Sequence, residues 1–326
     1  MILSLFRTNQ SYASLLLFGY ALVLQLPVFL LGQAESEGER DTYYGGLVRE
    51  AVGTSGWVSV LIPALLIAVA GIVANNYADR FRVSRKVTQF PGVFVVLLWA
   101  LSPAFHAFDP LQFNHLFLLL AIGALGSTYK GKATEVARFN AGFWLGLASL
   151  LHPSYLIFIP AFVVGIGIFG TAKLRTVFQL IVGVLIAYFL AGTCAYLLDD
   201  LQSFYATQLA GLRFGEFEPA GRYALVGAGL LALPLLIVVL GGNRARLMLN
   251  IEGSKNVSFL YWVLLFALPV ATCAVVLRVA DAQVVVPPLG LLLGLWFTRQ
   301  PRARAEFYHL LLFAAALVLT TVALID

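Results

Sequence analysis

The chain has 326 residues, 60% of them hydrophobic and only 11% charged, with a formal net charge of +5. Its mean hydropathy is +0.89. This composition excludes a soluble globular domain and indicates an all-α, polytopic transmembrane bundle. The basic excess is no sign of nucleic acid, because the Lys and Arg residues fall in short loops between apolar runs.

A span needs ~20 mostly apolar residues, and lipid forces it to satisfy its own backbone hydrogen bonds, so helices are expected. The runs are continuous and not alternating, which argues against a β-barrel. Hydropathy predicts about eleven spans. They lie near residues 12–31, 58–75, 90–105, 111–127, 139–151, 155–169, 177–198, 223–240, 259–277, 284–297 and 307–325. The first resembles a signal peptide but is too long for an h-region, so it is taken as a retained helix. The third to sixth are short and form two tight hairpins, one of which would suit a re-entrant pair. The whole chain is read as one integral membrane domain, with residues 1–190 as a core, residues 191–326 as C-terminal helices and no soluble domain.

Alternating sides from a cytoplasmic N-terminus puts sixteen of the 21 basic residues inside. The exceptions are Arg40, Arg49, Arg213, Arg222 and Arg278. This agrees with the positive-inside rule and places the C-terminus outside, in the periplasm of a bacterial inner membrane. Of the 16 acids, only Asp79, Glu135, Glu252 and Glu306 fall inside. Twelve carboxylates on one face hint at function there, since acids contribute little to topology.

Two outer loops are long. The first, residues 33–57, holds Glu35, Glu37, Glu39 and Asp41, followed by Tyr43 and Tyr44. A carboxylate there can serve as general base on a hydroxyl, or Asp41 can simply cap a short helix. The second, residues 199–222, has Asp199 and Asp200 before Leu201, Phe204, Leu209 and Leu212, the spacing of an interfacial helix. Between them, Asp109 precedes Pro110 and an apolar run, a helix-start spelling. It shares the outer face with His106. His152 stands between two apolar spans, where an ionisable group is either functional or interfacial.

Cys194 and Cys273 lie in apolar runs and read as small buried hydrophobes. The four histidines, His106, His115, His152 and His309, include no helical metal-binding pair, which disfavours an iron site. Phosphate loops, nucleophile elbows and zincin motifs are absent. No span carries a central charge, against an ion-coupled transporter.

Three stretches in order resemble the GT-C superfamily, the polytopic glycosyltransferases that use polyprenyl-phosphate sugars. Asp41 with Tyr44 is similar to the family's first-loop acidic motif. Ser102-Pro103 through Asp109-Pro110 is similar to its second-loop Ser-Pro turn and Asp. The segment from Gly142 to Ser154 is similar to its Gly-rich apolar stretch, with His152 where Lys or Arg is common. The resemblance implies sugar transfer from a polyprenyl-phosphate donor on the periplasmic face. It implies Asp41 as the base, with Glu39 next to it, and Asp109 at the donor phosphate, where a divalent cation would assist. It puts His152, Arg213, His106 and Tyr44 around the lipid-linked phosphate. The start of the chain and residues 75–85 also resemble a bacterial inner-membrane family that carries no known activity. The alternative is a non-catalytic membrane protein that scaffolds or handles lipid.

Overall fold

Each apolar run closes its own backbone hydrogen bonds, and the computed structural model is helical almost throughout. It describes residues 2–7, 11–32, 42–52, 57–84, 86–129, 131, 134–208, 216–217, 221–246, 249–273 and 276–326. The helices in chain order are α1 (Ser11–Leu31), α2 (Tyr43–Val52), α3 (Trp57–Arg80), α4 (Phe90–Trp99), α5 (Leu111–Gly126), α6 (Thr134–Leu151) and α7 (Phe158–Phe169). There follow α8 (Leu174–Leu197), α9 (Leu201–Gln208), α10 (Arg222–Leu230), α11 (Ala232–Arg246), α12 (Ile251–Thr272), α13 (Val286–Phe297) and α14 (Arg302–Ile325). Short 3-10 turns precede α7 at Pro153–Ile157 and α13 at Val279–Val285. Among the described residues, the only strand pairing is a parallel bridge of Glu216–Phe217 with Val276–Leu277.

The expected spans coincide largely with helices, and among the described residues seven segments are long and apolar enough to cross a membrane. The expected count of eleven crossings is therefore not confirmed in this multi-pass bundle. The shortfall lies in the short helices: α4 has 10 residues, about 15 Å against a hydrocarbon thickness of ~30 Å. All of α4 is buried nonetheless, including Phe90, Phe94 and Trp99. The lipid-facing rim is elsewhere. Phe178, Leu185 and Phe189 of α8, Leu236 and Leu240 of α11, and Leu311 and Val318 of α14 are exposed.

Burying α4 on every side requires close backbone approach. Gly92 of α4 lies against the Gly71 carbonyl of α3, and Gly294 of α13 lies against Pro91, leaving no room for a Cβ. A polar lock secures the same point. The Gly92 amide donates to Asn75 Oδ1 at 2.7 Å, and the Asn75 amide donates to Gln89 Oε1. The α6–α8 contact uses the same device. Gly142 lies on the Leu180 carbonyl, and Gly183 on the Phe139 carbonyl. Small residues at such seams let membrane helices gain dispersion contact in the absence of a hydrophobic drive. The glycines of the 142–154 stretch thus have a packing role.

Polar contacts gather at the two ends of the bundle. At one end the Gln89 amide donates to the Phe6 carbonyl at 2.9 Å, and the Leu3 amide to Glu306 Oε2 at 3.2 Å. Tyr77 donates to Asn256 Oδ1 at 2.9 Å, and Arg175 pairs with Glu135 at 2.9 Å. At the other end Thr42 donates to the Leu151 carbonyl, Ser102 to the Ala224 carbonyl, and Arg222 pairs with Asp326. The first is the basic end, the second the acidic end.

The second long loop differs from expectation. Its helix α9 packs onto α2 and α8 instead of lying free at an interface. Phe204 is buried edge-on to Tyr43 and Tyr44. Asp200 accepts from the Ser203 hydroxyl, and Leu209 and Leu212 lie outside the described residues. Cys194 is also exposed and not buried, while Cys273 is buried as expected.

The glycine seams yield a paired test. Gly142→Ala adds a methyl where the Leu180 carbonyl sits and should destabilise the protein by ~1–3 kcal/mol, the usual cost of overpacking. Gly19→Ala in α1 meets open space and should be neutral or stabilising by up to ~1 kcal/mol. Equal thermal unfolding midpoints for the two variants in detergent would contradict the seam.

Candidate functional site

Because α4 stops short, the chain turns inside the bundle at Ala100 and runs to Pro110 before α5 begins. Its polar groups must be satisfied there. Gln112 donates to the Phe105 and Ala107 carbonyls at 3.0 and 2.8 Å. At the end of this turn Asp109 uses one carboxylate oxygen to start α5. Its Oδ1 accepts from the Leu111 amide at 2.7 Å. Its Oδ2 lies 3.9 Å from the Arg49 guanidinium on α2.

A second carboxylate is arranged the same way. Asp281, in the turn before α13, accepts from the Arg278 amide at 3.0 Å through Oδ2. Its Oδ1 lies 4.0 Å from His152 Nε2. Asp109 and Asp281 thus each commit one oxygen to a helix start and turn the other towards a basic partner. Both separations exceed hydrogen-bonding distance; Arg49–Asp109 is an ion-pair contact, and His152–Asp281 becomes one when the imidazole is protonated.

His115, one turn into α5, connects the two pairs. Asp109 acts on it electrostatically, and its Nε2 lies 3.2 Å from Gln283 Oε1, two residues from Asp281. That oxygen can only accept, so Nε2 carries the proton and Nδ1 presents a lone pair. Among the described residues, His115 Nδ1, Gln283 Nε2, Asn114 Oδ1 and Ser154 Oγ are buried without a hydrogen-bond partner. Several such atoms in one layer are unusual, since buried polar groups are normally paired.

An apolar cavity of about 420 Å³ adjoins this layer. It opens between α2, α5, α6 and α8, and its walls include Val48, Phe113, Phe117, Leu147, Leu190 and Cys194. Val48 is the residue before Arg49, and Phe113 is one helical turn beyond Asp109. Two of the lining residues are thus close in sequence to the charged pair.

Of the residues singled out in the sequence, Asp109 and His152 both lie in this layer. Tyr44 lines the cavity and donates to the Ala191 carbonyl at 2.7 Å. Burial pushes its hydroxyl pKa up, and Cys194 and Tyr43 add to the effect. Asp41, Glu39 and Arg213 lie outside the described residues. Thr42, which follows Asp41, is anchored at 3.2 Å to the carbonyl of Leu151, the residue before His152.

His106 is placed elsewhere, inside the packed contact of α1, α4 and α14. The Gln25 amide donates to its carbonyl at 3.0 Å, and its Nδ1 meets Gln25 Oε1. Its Nε2 lies 3.2 Å from both the Thr320 hydroxyl and the Ala100 carbonyl. The ring also packs on Trp99 at 4.8 Å between centroids. Its two nitrogens are occupied in holding helices together.

Arg49, His115, Asp281 and Gln283 escaped sequence reasoning as members of one site. Asp281 counted only as one outer acid, although Arg278 three residues before it spells a turn start. His115 and Gln283 are polar residues in apolar text, a signal that marks burial with a partner but not which partner. Among the described residues, no three His, Cys, Asp or Glu side chains are grouped to hold a metal ion.

No protein-family model matches the chain, and no curated protein matches it in sequence. Two solved structures are similar to it, both of the Archaeoglobus fulgidus oligosaccharyltransferase. One is tethered through a disulfide to an acceptor peptide containing the NVT sequon, at 12% identity and a TM-score of 0.48. The other is the apo form, at 11% identity and a TM-score of 0.45. Each covers 94% of this chain, which spans only about half of theirs (50% and 51%).

The environment of His106 sets a pH dependence. Burial lowers its pKa to about 4 from an ordinary 6.5, against a smaller opposite pull from the Ala100 carbonyl. Between these values the unfolded chain binds more protons than the folded one, so stability falls as pH drops through that window. The melting temperature in detergent should decline from pH 6.5 towards 4, and His106→Gln should remove part of that slope. Parallel slopes for wild type and variant would exclude His106 as a source.

Proposed function

We propose that the chain is a GT-C-like membrane glycosyltransferase that moves a sugar from a polyprenyl-phosphate donor to an acceptor at the acidic, periplasmic end. The observation that carries this reading is the apolar cavity lined by Val48 and Phe113, which lie close in sequence to the members of the Arg49–Asp109 pair. A polyprenyl tail in the cavity brings its phosphate to Arg49, where a guanidinium is the natural partner of a phosphate.

In this reading Asp41 takes the proton of the acceptor hydroxyl, with Glu39 beside it. The hydroxyl oxygen then attacks the anomeric carbon, and the bond from that carbon to the phosphate oxygen breaks. The polyprenyl phosphate leaves with both electrons of that bond, stabilised by Arg49, His152 and Arg213. Asp109 holds Arg49 in place. A divalent cation fits poorly among the described residues, because Asp109 already faces a guanidinium, and no step is routed through one.

The rival is a lipid-handling protein without chemistry. The capping of α5 by Asp109 favours it, because that contact alone accounts for an aspartate at this position. The two readings separate on Asp109→Asn, since Asn caps a helix as well as Asp but carries no charge.

Transfer is measured with the purified protein in vesicles, a radiolabelled polyprenyl-phosphate hexose and bacterial membrane fractions as acceptor source. Asp41→Asn should lower transfer ~10²–10⁴-fold, the range of a lost general base. Asp109→Asn should lower it while the folded protein is retained, and Arg49→Gln should raise the donor KM. Full transfer by both aspartate variants would remove the catalytic roles and leave the lipid-handling reading.

A further inference from the structure

At the basic end lies a second cavity, of about 490 Å³, that the acidic-end site does not use. Helices α3 and α6 both pack on α5, and the cavity is the groove between them. Its deep part is apolar, with Val73, Leu119 and Leu120. Its mouth is polar, with Asn76, Arg80, Ser127 and Asn140. Arg80 ends the 24-residue helix α3, so the polar mouth sits where a membrane span meets water. Val73 lies two turns deeper on the same helix.

The side chains at the mouth are free to act on a ligand. Arg80 is exposed and rests its guanidinium over the Phe81 ring at 5.4 Å, and none of its nitrogens lies within 4.0 Å of a described carboxylate. Stacked in this way, a guanidinium keeps its hydrogen-bond donors available. Ser127 donates its proton to the Ala124 carbonyl at 2.6 Å, which fixes the hydroxyl at the rim. Asn76 and Asn140 are exposed at the mouth and supply further amide donors.

We propose that this groove binds an anionic glycerophospholipid, with the phosphodiester on Arg80 and the asparagines and the upper acyl chain along Val73, Leu119 and Leu120. The sorting of charge along the chain supports this occupant. Arg82 and Arg138 each follow a lining residue in sequence, Phe81 and Ala137, and basic loops of membrane proteins face the leaflet that carries anionic lipid. A zwitterionic headgroup brings no net charge to match Arg80, and a free anion leaves the apolar depth of the groove empty.

The test is lipid titration of the full chain in a neutral maltoside detergent, read by native mass spectrometry and thermal unfolding. Phosphatidylglycerol should bind and raise the melting temperature, while phosphatidylcholine and inorganic phosphate should not. Arg80→Gln should weaken phosphatidylglycerol binding ~10-fold, the effect of one lost charge-assisted contact. Asn140→Trp, which fills the mouth without changing charge, should weaken it as well. Arg175→Gln removes a basic residue that is already paired with Glu135 away from the groove, and it should bind as wild type does. Equal binding of the two phospholipids, an equal shift from inorganic phosphate, or unchanged phosphatidylglycerol binding in both groove variants would each overturn the proposal. Glycosyl transfer plays no part in the readout, so the outcome is independent of the function proposed for the acidic end.

Discussion

The structure depends on the burial of a helix too short for the membrane around it. With 10 residues, α4 covers about half the hydrocarbon thickness, yet none of it faces lipid. Bare backbone next to lipid is costly, so both ends of α4 must find partners inside the protein. At the N-terminal end the partners are Asn75 and Gln89. At the C-terminal end the eleven residues before α5 turn within the bundle, and their carbonyls are met by Gln25 and Gln112. The glycine contacts with α3 and α13 make this enclosure geometrically possible.

One consequence is the depth of the candidate site. A full-length α4 would deliver Asp109 to open water. The short helix instead leaves it in a buried turn, where its free oxygen faces Arg49. Asp281 reaches a similar position through the 3-10 turn before α13 and faces His152. In low dielectric, a carboxylate next to a single basic partner interacts more strongly than it would in water. The orphaned polar atoms of His115, Gln283, Asn114 and Ser154 lie in the same region, so the layer holds more hydrogen-bonding capacity than it satisfies internally.

The two ends of the bundle are built differently. The acidic end has buried charge near an apolar pocket that opens between helices, an arrangement suited to a ligand with a long apolar tail and a charged head. The basic end has exposed cations around a groove between helices that do not pack on each other, suited to a lipid lying alongside the protein. Other buried polar residues serve as structural locks. His106 and the Tyr77–Asn256 pair each tie three segments together and leave little capacity for a ligand.

The helical class, the position of each apolar segment and the sorting of charge between the ends were legible in the sequence, because hydropathy and the cost of charge in lipid act locally. The helix start at Asp109-Pro110 was equally plain, since capping is a contact between near neighbours. The number of crossings was not, because α4 reads as span by composition and is shown to be enclosed only by the helices around it. The site was legible in part: Asp109 and His152 stood out as polar residues in apolar text, and His106 stood out for the same reason but serves packing. Composition cannot distinguish those two fates, since both bury a polar group and differ only in what lies opposite. Arg49 joins Asp109 across 60 residues and Asp281 joins His152 across 129, separations that no local pattern encodes. The sequence by itself determined which residues must avoid lipid. Only the tertiary structure decided which of them meet, because that depends on how the helices pack side by side.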